Sequence, residues 1–463
     1  MTAVEAVGTP AAPPRPGPGA PRPYRFPHFE RRRLPNGLTL VVAPVHRLPL
    51  VSVVATVDAG AVSDPEGQEG LAVLTARALT EGTASMDAVA LVERVEGLGA
   101  ALDSGADWDA AVVSLTALAP KLGEAFELLA DVLQRPAFPE REVERLKGER
   151  LAELLHTRSE PRALAEEGFA RAVYAAGARY ARAEAGGEAS VQALGTDAVR
   201  AFHRARYRPA ATTVVVAGDV TADAAEALVR RTLGAWEGAA PPAAGAADAP
   251  GSASRRVHLV ARPDAAQSEI RLGHVGVPRS TPDYFPLLVM NSILGGLFNS
   301  RVNLNLRERH GYTYGARSGF DWRRGAGPFA VESAVANENA VAAATEMLAE
   351  VDRIRGEPVG EDELSLATSY LDGVFPIRYE TTAAVASALS TAAVYGLPDD
   401  YFDRYRERVR AVTADDVRRV AEQYLHPERL QLLVVGDPAT MGPRLAEMAF
   451  GPMVSYDADE VVR

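Results

Sequence analysis

Cysteine is absent from the 463-residue chain. Disulfides, thiolate chemistry and cysteine-ligated zinc are therefore excluded. The absence leaves the compartment open, because a cysteine-free chain folds equally well in the cytosol or the periplasm. Basic charge is in deficit: 49 Lys and Arg stand against 61 Asp and Glu, a net charge of −12. A general nucleic-acid binder needs a basic face for phosphates, so that class is disfavoured. The same acidity is compatible with basic peptide substrates. No run of apolar residues reaches the roughly 20 that a membrane helix needs. Met1 to Pro23 lacks the basic start and apolar stretch of a secretory signal. The cytoplasm is the expected location. Histidine is sparse, with eight residues, and the nearest two, His258 and His274, are sixteen positions apart. No local paired-histidine zinc motif exists.

What is present is a chain too long for one hydrophobic core. Helix formers dominate, Ala above all, yet short Val-rich runs recur, which points to an α+β protein. Residues 1–23 are rich in Pro, Ala and Gly and read as a disordered arm. A second stretch of that composition, residues 238–254, reads as a linker. It divides the rest into residues 24–237 and 255–463.

These two parts repeat each other. The first closes with a helical segment, Asp197–Tyr207, then Pro209, the strand Thr212–Ala217 and Gly218-Asp219. The second closes with Ala414–Tyr424, Pro427, the strand Leu430–Val435 and Gly436-Asp437. Asp219 and Asp437 are 218 positions apart (437 − 219). In the first half, 37–42 and 51–57 read as strands paired around a turn. Residues 70–79, 89–98, 120–133 and 140–156 read as helices, and 110–118 as a strand. The second half follows with strands 269–274 and 327–335 and helices 284–294 and 340–354. The order predicts two homologous halves, each an antiparallel sheet with helices packed on one face.

Several short stretches carry a resemblance. They are Leu34-Pro35-Asn36-Gly37-Leu38, Asp58-Ala59-Gly60, Gly70-Leu71-Ala72, Leu79 to Thr83 (LTEGT), Tyr207-Arg208-Pro209, Gly295-Gly296 and Asn303 to Tyr314 (NLNLRERHGYTY). In order and spacing they resemble the insulinase, pitrilysin and mitochondrial-processing-peptidase family of zinc peptidases, the inverzincins, over about residues 25–445. The resemblance implies the LuxS/insulinase type of metalloenzyme fold.

In that family the helix after Gly-Leu-Ala carries His-x-x-Glu-His, two zinc ligands and a general base on one helix face. Here Val73, Ala76 and Arg77 occupy those positions. A guanidinium keeps its proton and repels a dication. The family's third ligand is a Glu on the long helix downstream. Glu153 matches it best and Glu149 is the fallback; without histidines it reads as an orphan, solvated carboxylate.

The family's second motif places an Arg and a Tyr seven residues apart, matched by Arg307 and Tyr314. The resemblance implies that they reach a zinc site from the opposite half or the opposite subunit, where they hold the substrate backbone and help stabilise the tetrahedral intermediate. Tyr312 is the local competitor. On the other reading, Arg307 pairs with a nearby carboxylate and Tyr314 is a half-buried sheet residue. Gly295-Gly296 is either a mobile substrate loop or the end of the preceding apolar helix. The expectation is a non-catalytic, substrate-binding subunit that binds no cofactor itself. It would pair with a His-x-x-Glu-His subunit carrying Zn2+ and take peptide or unfolded polypeptide as substrate, with neither nucleic acid nor membrane as partner. The alternatives are a structural subunit like the core proteins of respiratory complexes, or an accessory protein for precursor-peptide maturation.

Overall fold

The computed structural model describes residues 23–242 and 251–462. Most of the expected N-terminal arm, and positions 243–250 of the expected linker, lie outside the described residues. Among the described residues twelve strands form two six-stranded sheets. The first contains β1 (Glu30–Arg33), β2 (Thr39–Pro44), β3 (Leu50–Val57), β4 (Ala101–Ala106), β5 (Ala111–Leu118) and β6 (Thr212–Gly218). The second contains β7 (Arg256–Ala261), β8 (Gln267–Val275), β9 (Ala316–Phe320), β10 (Pro328–Ala336), β11 (Gln431–Gly436) and β12 (Met453–Tyr456).

The strand orders are β1-β2-β6-β3-β5-β4 and β12-β7-β11-β8-β10-β9. Position for position, five strands of one sheet match five of the other, so the repeat seen in the sequence is a repeat of topology. The outer edges differ. β1 pairs antiparallel with β2, whereas β12 pairs parallel with β7. Pairing is mainly antiparallel, with parallel ladders between β2 and β6 and between β7 and β11.

One expected pairing is corrected. β2 and β3 exist near 37–42 and 51–57, but they do not pair with each other. β6, more than 150 residues later in the chain, inserts between them. The connection from Pro44 to Leu50 is short enough for a hairpin, but here it spans the width of β6, which pairs parallel with β2 and antiparallel with β3.

Each sheet packs helices of its own half on one face, as the pattern predicts. In the first sheet Val51, Val53, Ala55 and Val57 of β3 join Leu71, Phe126 and Leu129 in one core. The opposite face receives a helix from the other half. Helix Thr382–Val394 lies on β2, β3 and β6, and helix Pro161–Val173 lies on β7, β8, β10 and β11. The two helices follow corresponding strands and helices of the repeat, so the exchange is reciprocal.

Alternation along β3 shows how the sequence specifies this. Val51, Val53, Ala55 and Val57 face the strand's own helices. Ser52 and Thr56 face the crossing helix, where Ser52 Oγ bonds Thr382 Oγ1 at 3.0 Å and Thr56 Oγ1 bonds Ser390 Oγ. Around these hydroxyls the contact is apolar, with Val41, Val54 and Val215 in one cluster with Val385 and Leu389, and on the second sheet Val260, Leu433 and Val435 meet Leu164, Ala165 and Phe169. Gly168 allows the close approach, since a Cβ there would lie 3.0 Å from Leu433 Cδ1.

Gly168→Val should therefore destabilise the protein by about 1–3 kcal/mol through overpacking. Gly148→Ala, on an exposed helical face with nothing near its would-be Cβ, should be neutral or stabilise by up to about 1 kcal/mol. Denaturant midpoints of the two variants measure the contrast, and equal midpoints would contradict the packing account.

A buried histidine sets a second expectation. His274 is 4% exposed. Its Nδ1 donates to the Val275 carbonyl at 2.8 Å and its Nε2 accepts from the His426 N–H at 3.1 Å. That pattern fits only the neutral ring. Burial pushes its pKa down to about 4. The unfolded chain then binds the proton more readily, so stability should fall as pH drops from roughly 6.5 to 4, by up to about 3 kcal/mol. Urea unfolding across that range should show the loss in the parent and a shallower one in His274→Gln.

Candidate functional site

Helix Leu71–Ala78 carries the three positions where the resemblance places metal chemistry. Its start is built tightly. Gly70 has φ +95°, a conformation L side chains avoid. Asp64 caps the helix from outside: its carboxylate accepts from the Gly70 N–H at 2.8 Å and the Ala72 N–H at 2.7 Å. Arg179 holds that carboxylate at 2.9 Å. Anion and helix N-terminus are complementary.

Along this helix Ala76 is fully buried, and the Ser104 hydroxyl of β4 donates to its carbonyl at 2.8 Å. Arg77 projects toward the long helix Glu140–Ser159. Its guanidinium meets Glu149 at 2.8 Å and Glu153 at 3.3 Å. Glu153, expected as an orphan, is thus paired, and Arg150 adds a second contact at 3.5 Å. These residues do not fit zinc. Val73 and Ala76 offer no lone pair, and a fixed cation already occupies the carboxylates that a metal would need. His274 and His426 come together, with ring centroids 5.4 Å apart. Both nitrogens of His274 are engaged by backbone, so this pair is structural.

The Arg/Tyr motif lies at the open edge of the second sheet. Helix Tyr284–Asn291 ends in a π-helical turn, Ser292–Gly296. A Cβ on Gly295 would fall 2.3 Å from the Ser318 N of β9, so glycine lets the helix end press against the strand. Of the two readings of Gly295-Gly296, the geometry shows a helix end. A second π-helical turn, Leu304–Arg309, contains Arg307; such turns are frequent at functional sites.

Gly295, Gly296, Phe298 and Tyr314 gather on one cleft of about 440 Å³ beside β9. Tyr314 is 95% exposed, which removes the half-buried sheet reading. Tyr312 is the residue tucked inward, stacked on His310 at 4.9 Å. Arg307 lies over the Phe298 ring at 4.4 Å and contacts Glu308 at 3.4 Å. Arg307 does not itself line the cleft but touches its rim through Phe298, and among the described residues its ion contact is the exposed Glu308.

Two contributors escaped the sequence reading. Asn303 accepts from the Ala316 N–H at 3.0 Å and donates to the Phe298 carbonyl at 2.6 Å. It ties the loop before Arg307 to the first residue of β9. Arg162, on the crossing helix of the first half, lines the same cleft. A polar Asn between the apolar positions Val302 and Leu304 was the available signal for the first; no local signal existed for the second. Glu269, also on the cleft, has its carboxyl pushed up by burial against the opposing Arg271 and Arg162. None of the helices among the described residues is long and apolar enough to cross a membrane.

Two family models match the chain. The one described as "Insulinase (Peptidase family M16)" covers residues 42–183, and the one described as "Peptidase M16 inactive domain" covers residues 193–371. An uncharacterized zinc protease of Streptomyces coelicolor is 25% identical over 414 residues, 88% of this chain and 89% of that protein. A non-peptidase homolog of Helicobacter pylori is 23% identical over 403 residues, 85% of this chain and 90% of its own length. Among solved structures, a peptidase M16 inactive domain from Pseudomonas fluorescens superposes with a TM-score of 0.83 at 25% identity, covering 88% of this chain and 98% of that one. The chain belongs to the M16, or insulinase, family, as a member whose sequence contains no His-x-x-Glu-His motif.

Proposed function

We propose that this chain is the non-catalytic, substrate-binding subunit of a cytoplasmic, two-subunit zinc peptidase. One contrast carries the reading: the metal positions are closed by an Arg77–glutamate ion pair, while Tyr314 stands fully open on a cleft beside an unpaired sheet edge. An extended peptide added to β9 would bond by its backbone, which demands little of its sequence. Tyr314 and Arg307 then supply a hydroxyl and a cation to a partner's zinc site, where negative charge develops on the attacked carbonyl. The partner is a His-x-x-Glu-His subunit of the same family and holds the Zn2+. The H. pylori relative named a non-peptidase homolog is in keeping with a member that lacks its own activity.

A scaffold role, or binding of a precursor peptide for modification, would leave Tyr314 chemically idle. The pure chain should not cleave peptides, and adding the partner should restore cleavage. In the reconstituted pair Tyr314→Phe should lower kcat by a factor of roughly 10²–10³, with Arg307→Ala comparable. Unchanged rates would favour the scaffold, and EDTA-sensitive hydrolysis by the pure chain would sink the proposal.

The metal side has its own test. Positions 73 and 77 lie on one helix face, and Arg77 already reaches both candidate glutamates. The triple variant Val73→His, Ala76→Glu, Arg77→His should bind close to one zinc per chain by elemental analysis, while the parent stays far below that. A metal-free triple variant that is folded by circular dichroism would show that the site has lost more than its ligands.

A further inference from the structure

The two halves meet where corresponding hairpins interlock. The β4–β5 turn supplies Asp107, Trp108 and Asp109, and the β9–β10 turn supplies Asp321, Trp322 and Arg323. The Arg324 N–H donates to Asp109 Oδ2 at 3.0 Å, and the Arg323 guanidinium stacks on Trp108 at 4.3 Å. Between the turns lies a cleft of about 370 Å³, closed on one side by the crossing helix Pro161–Val173.

Six carboxylates line this cleft: Asp107, Asp109, Glu166, Glu167, Glu184 and Asp321. Two guanidiniums oppose them, Arg182 and Arg323. From outside the lining Arg150 meets Glu167 at 3.4 Å and Arg271 meets Glu166 at 3.9 Å, which leaves a formal surplus of two negative charges. Both guanidiniums are already committed, Arg182 to Glu69 and Glu66, and Arg323 to Asp321.

Two carboxylates are left short of partners. Asp109 is 2% exposed, and its Oδ1 has no donor among the described residues. Glu184 makes no side-chain ion pair or hydrogen bond that the described residues provide. Burial pushes both carboxyls up, Glu184 to about 7. The hairpin lock needs only Asp109 Oδ2, so the bare, buried Oδ1 is a desolvation cost with no structural return.

A cation would satisfy both groups. The described residues contain no cluster of three metal-ligating side chains, and a bare divalent ion wants more oxygens than converge here. Trp108, Trp322 and Tyr395 also line the cleft; Arg323 and Arg179 already lie over the Trp108 ring at 4.3 and 4.9 Å, so this aromatic wall is one that holds guanidinium groups.

We propose that this cleft between the halves binds an alkylammonium or guanidinium cation, with Asp109 and Glu184 as its anionic partners. The cation is either a free small molecule or the Lys or Arg side chain of a bound peptide. Only the second source rests on the peptide-binding function proposed above. It is sterically reasonable, because the same helix borders both clefts. Arg162 faces the Tyr314 cleft and Glu166, one turn or roughly 6 Å along the helix, faces this one.

Tryptophan fluorescence of the full chain offers a direct readout. Of the three tryptophans, Trp108 and Trp322 line the cleft and Trp236 is buried in the first-half core. The probes are butylguanidinium, its neutral counterpart butylurea, and a ten-residue peptide carrying one central arginine or citrulline. Butylguanidinium should bind saturably and butylurea should not. Asp109→Asn and Glu184→Gln should each weaken that binding at least tenfold. Glu184 is partly exposed, so its variant keeps the test valid if Asp109→Asn fails to fold.

At least tenfold preference for the arginine peptide, lost in Glu184→Gln, would support the peptide source. Binding of butylguanidinium but of neither peptide would support the free source and count against the peptide-binding function. If butylguanidinium does not bind and the two peptides bind alike, the cleft proposal is overturned while peptide binding at Tyr314 stands. Binding of butylguanidinium unaffected by either substitution would also overturn it.

Discussion

The reciprocal crossing of helices Pro161–Val173 and Thr382–Val394 is the constraint on which the molecule depends. Each half builds a sheet and covers one face with its own helices, but the other face is completed by its counterpart. Neither sheet is a finished two-sided layer without the other half. The crossing brings the β4–β5 and β9–β10 turns together, and it carries Arg162 to the edge of the second sheet. Both clefts therefore depend on a helix whose sequence neighbours belong to a different sheet.

The closed metal positions show which interactions hold the Leu71–Ala78 helix. The Arg77 pairs with Glu149 and Glu153 are half-exposed, and such pairs contribute only about 0–1 kcal/mol. The buried Asp64 cap with Arg179, together with the buried faces of Leu71, Ala72 and Ala76, fixes the helix instead. A metal would have tied this helix to the long one with strong bonds. Here the tie is weak, and packing has taken over its mechanical role.

Local pattern made much of the fold legible. Strands with Val-rich alternation and helices with clear apolar periodicity, such as Ala414–Tyr424, stand where their residues place them. The 218-residue repeat correctly announced duplicate topology. Pairing order was not legible, because the insertion of β6 between β2 and β3 is decided by contacts more than 150 residues apart. The edge strands β4 and β9 are short, with Ser, Gly and Ala rather than β-branched residues. The crossing helix Thr382–Val394 is apolar nearly all round, so periodicity could not say which sheet it would meet. At the site, the spacing of Arg307 and Tyr314 was readable through resemblance. The roles of Asn303, which acts through backbone groups of two loops, and of Arg77 toward the long helix required tertiary structure.

The helix exchange has one more implication. In the vocabulary of oligomers, this architecture is a swapped dimer written on a single chain. Each half wears the other's arm, so the connection between them is not what keeps them together. Scission between Pro242 and Gly251 would leave two pieces, each with the partner's helix seated on its sheet. They would separate only when those helices were pulled off. The molecule's unity is topological as much as covalent, as with two links of a clasp that stay joined after the cord between them is cut.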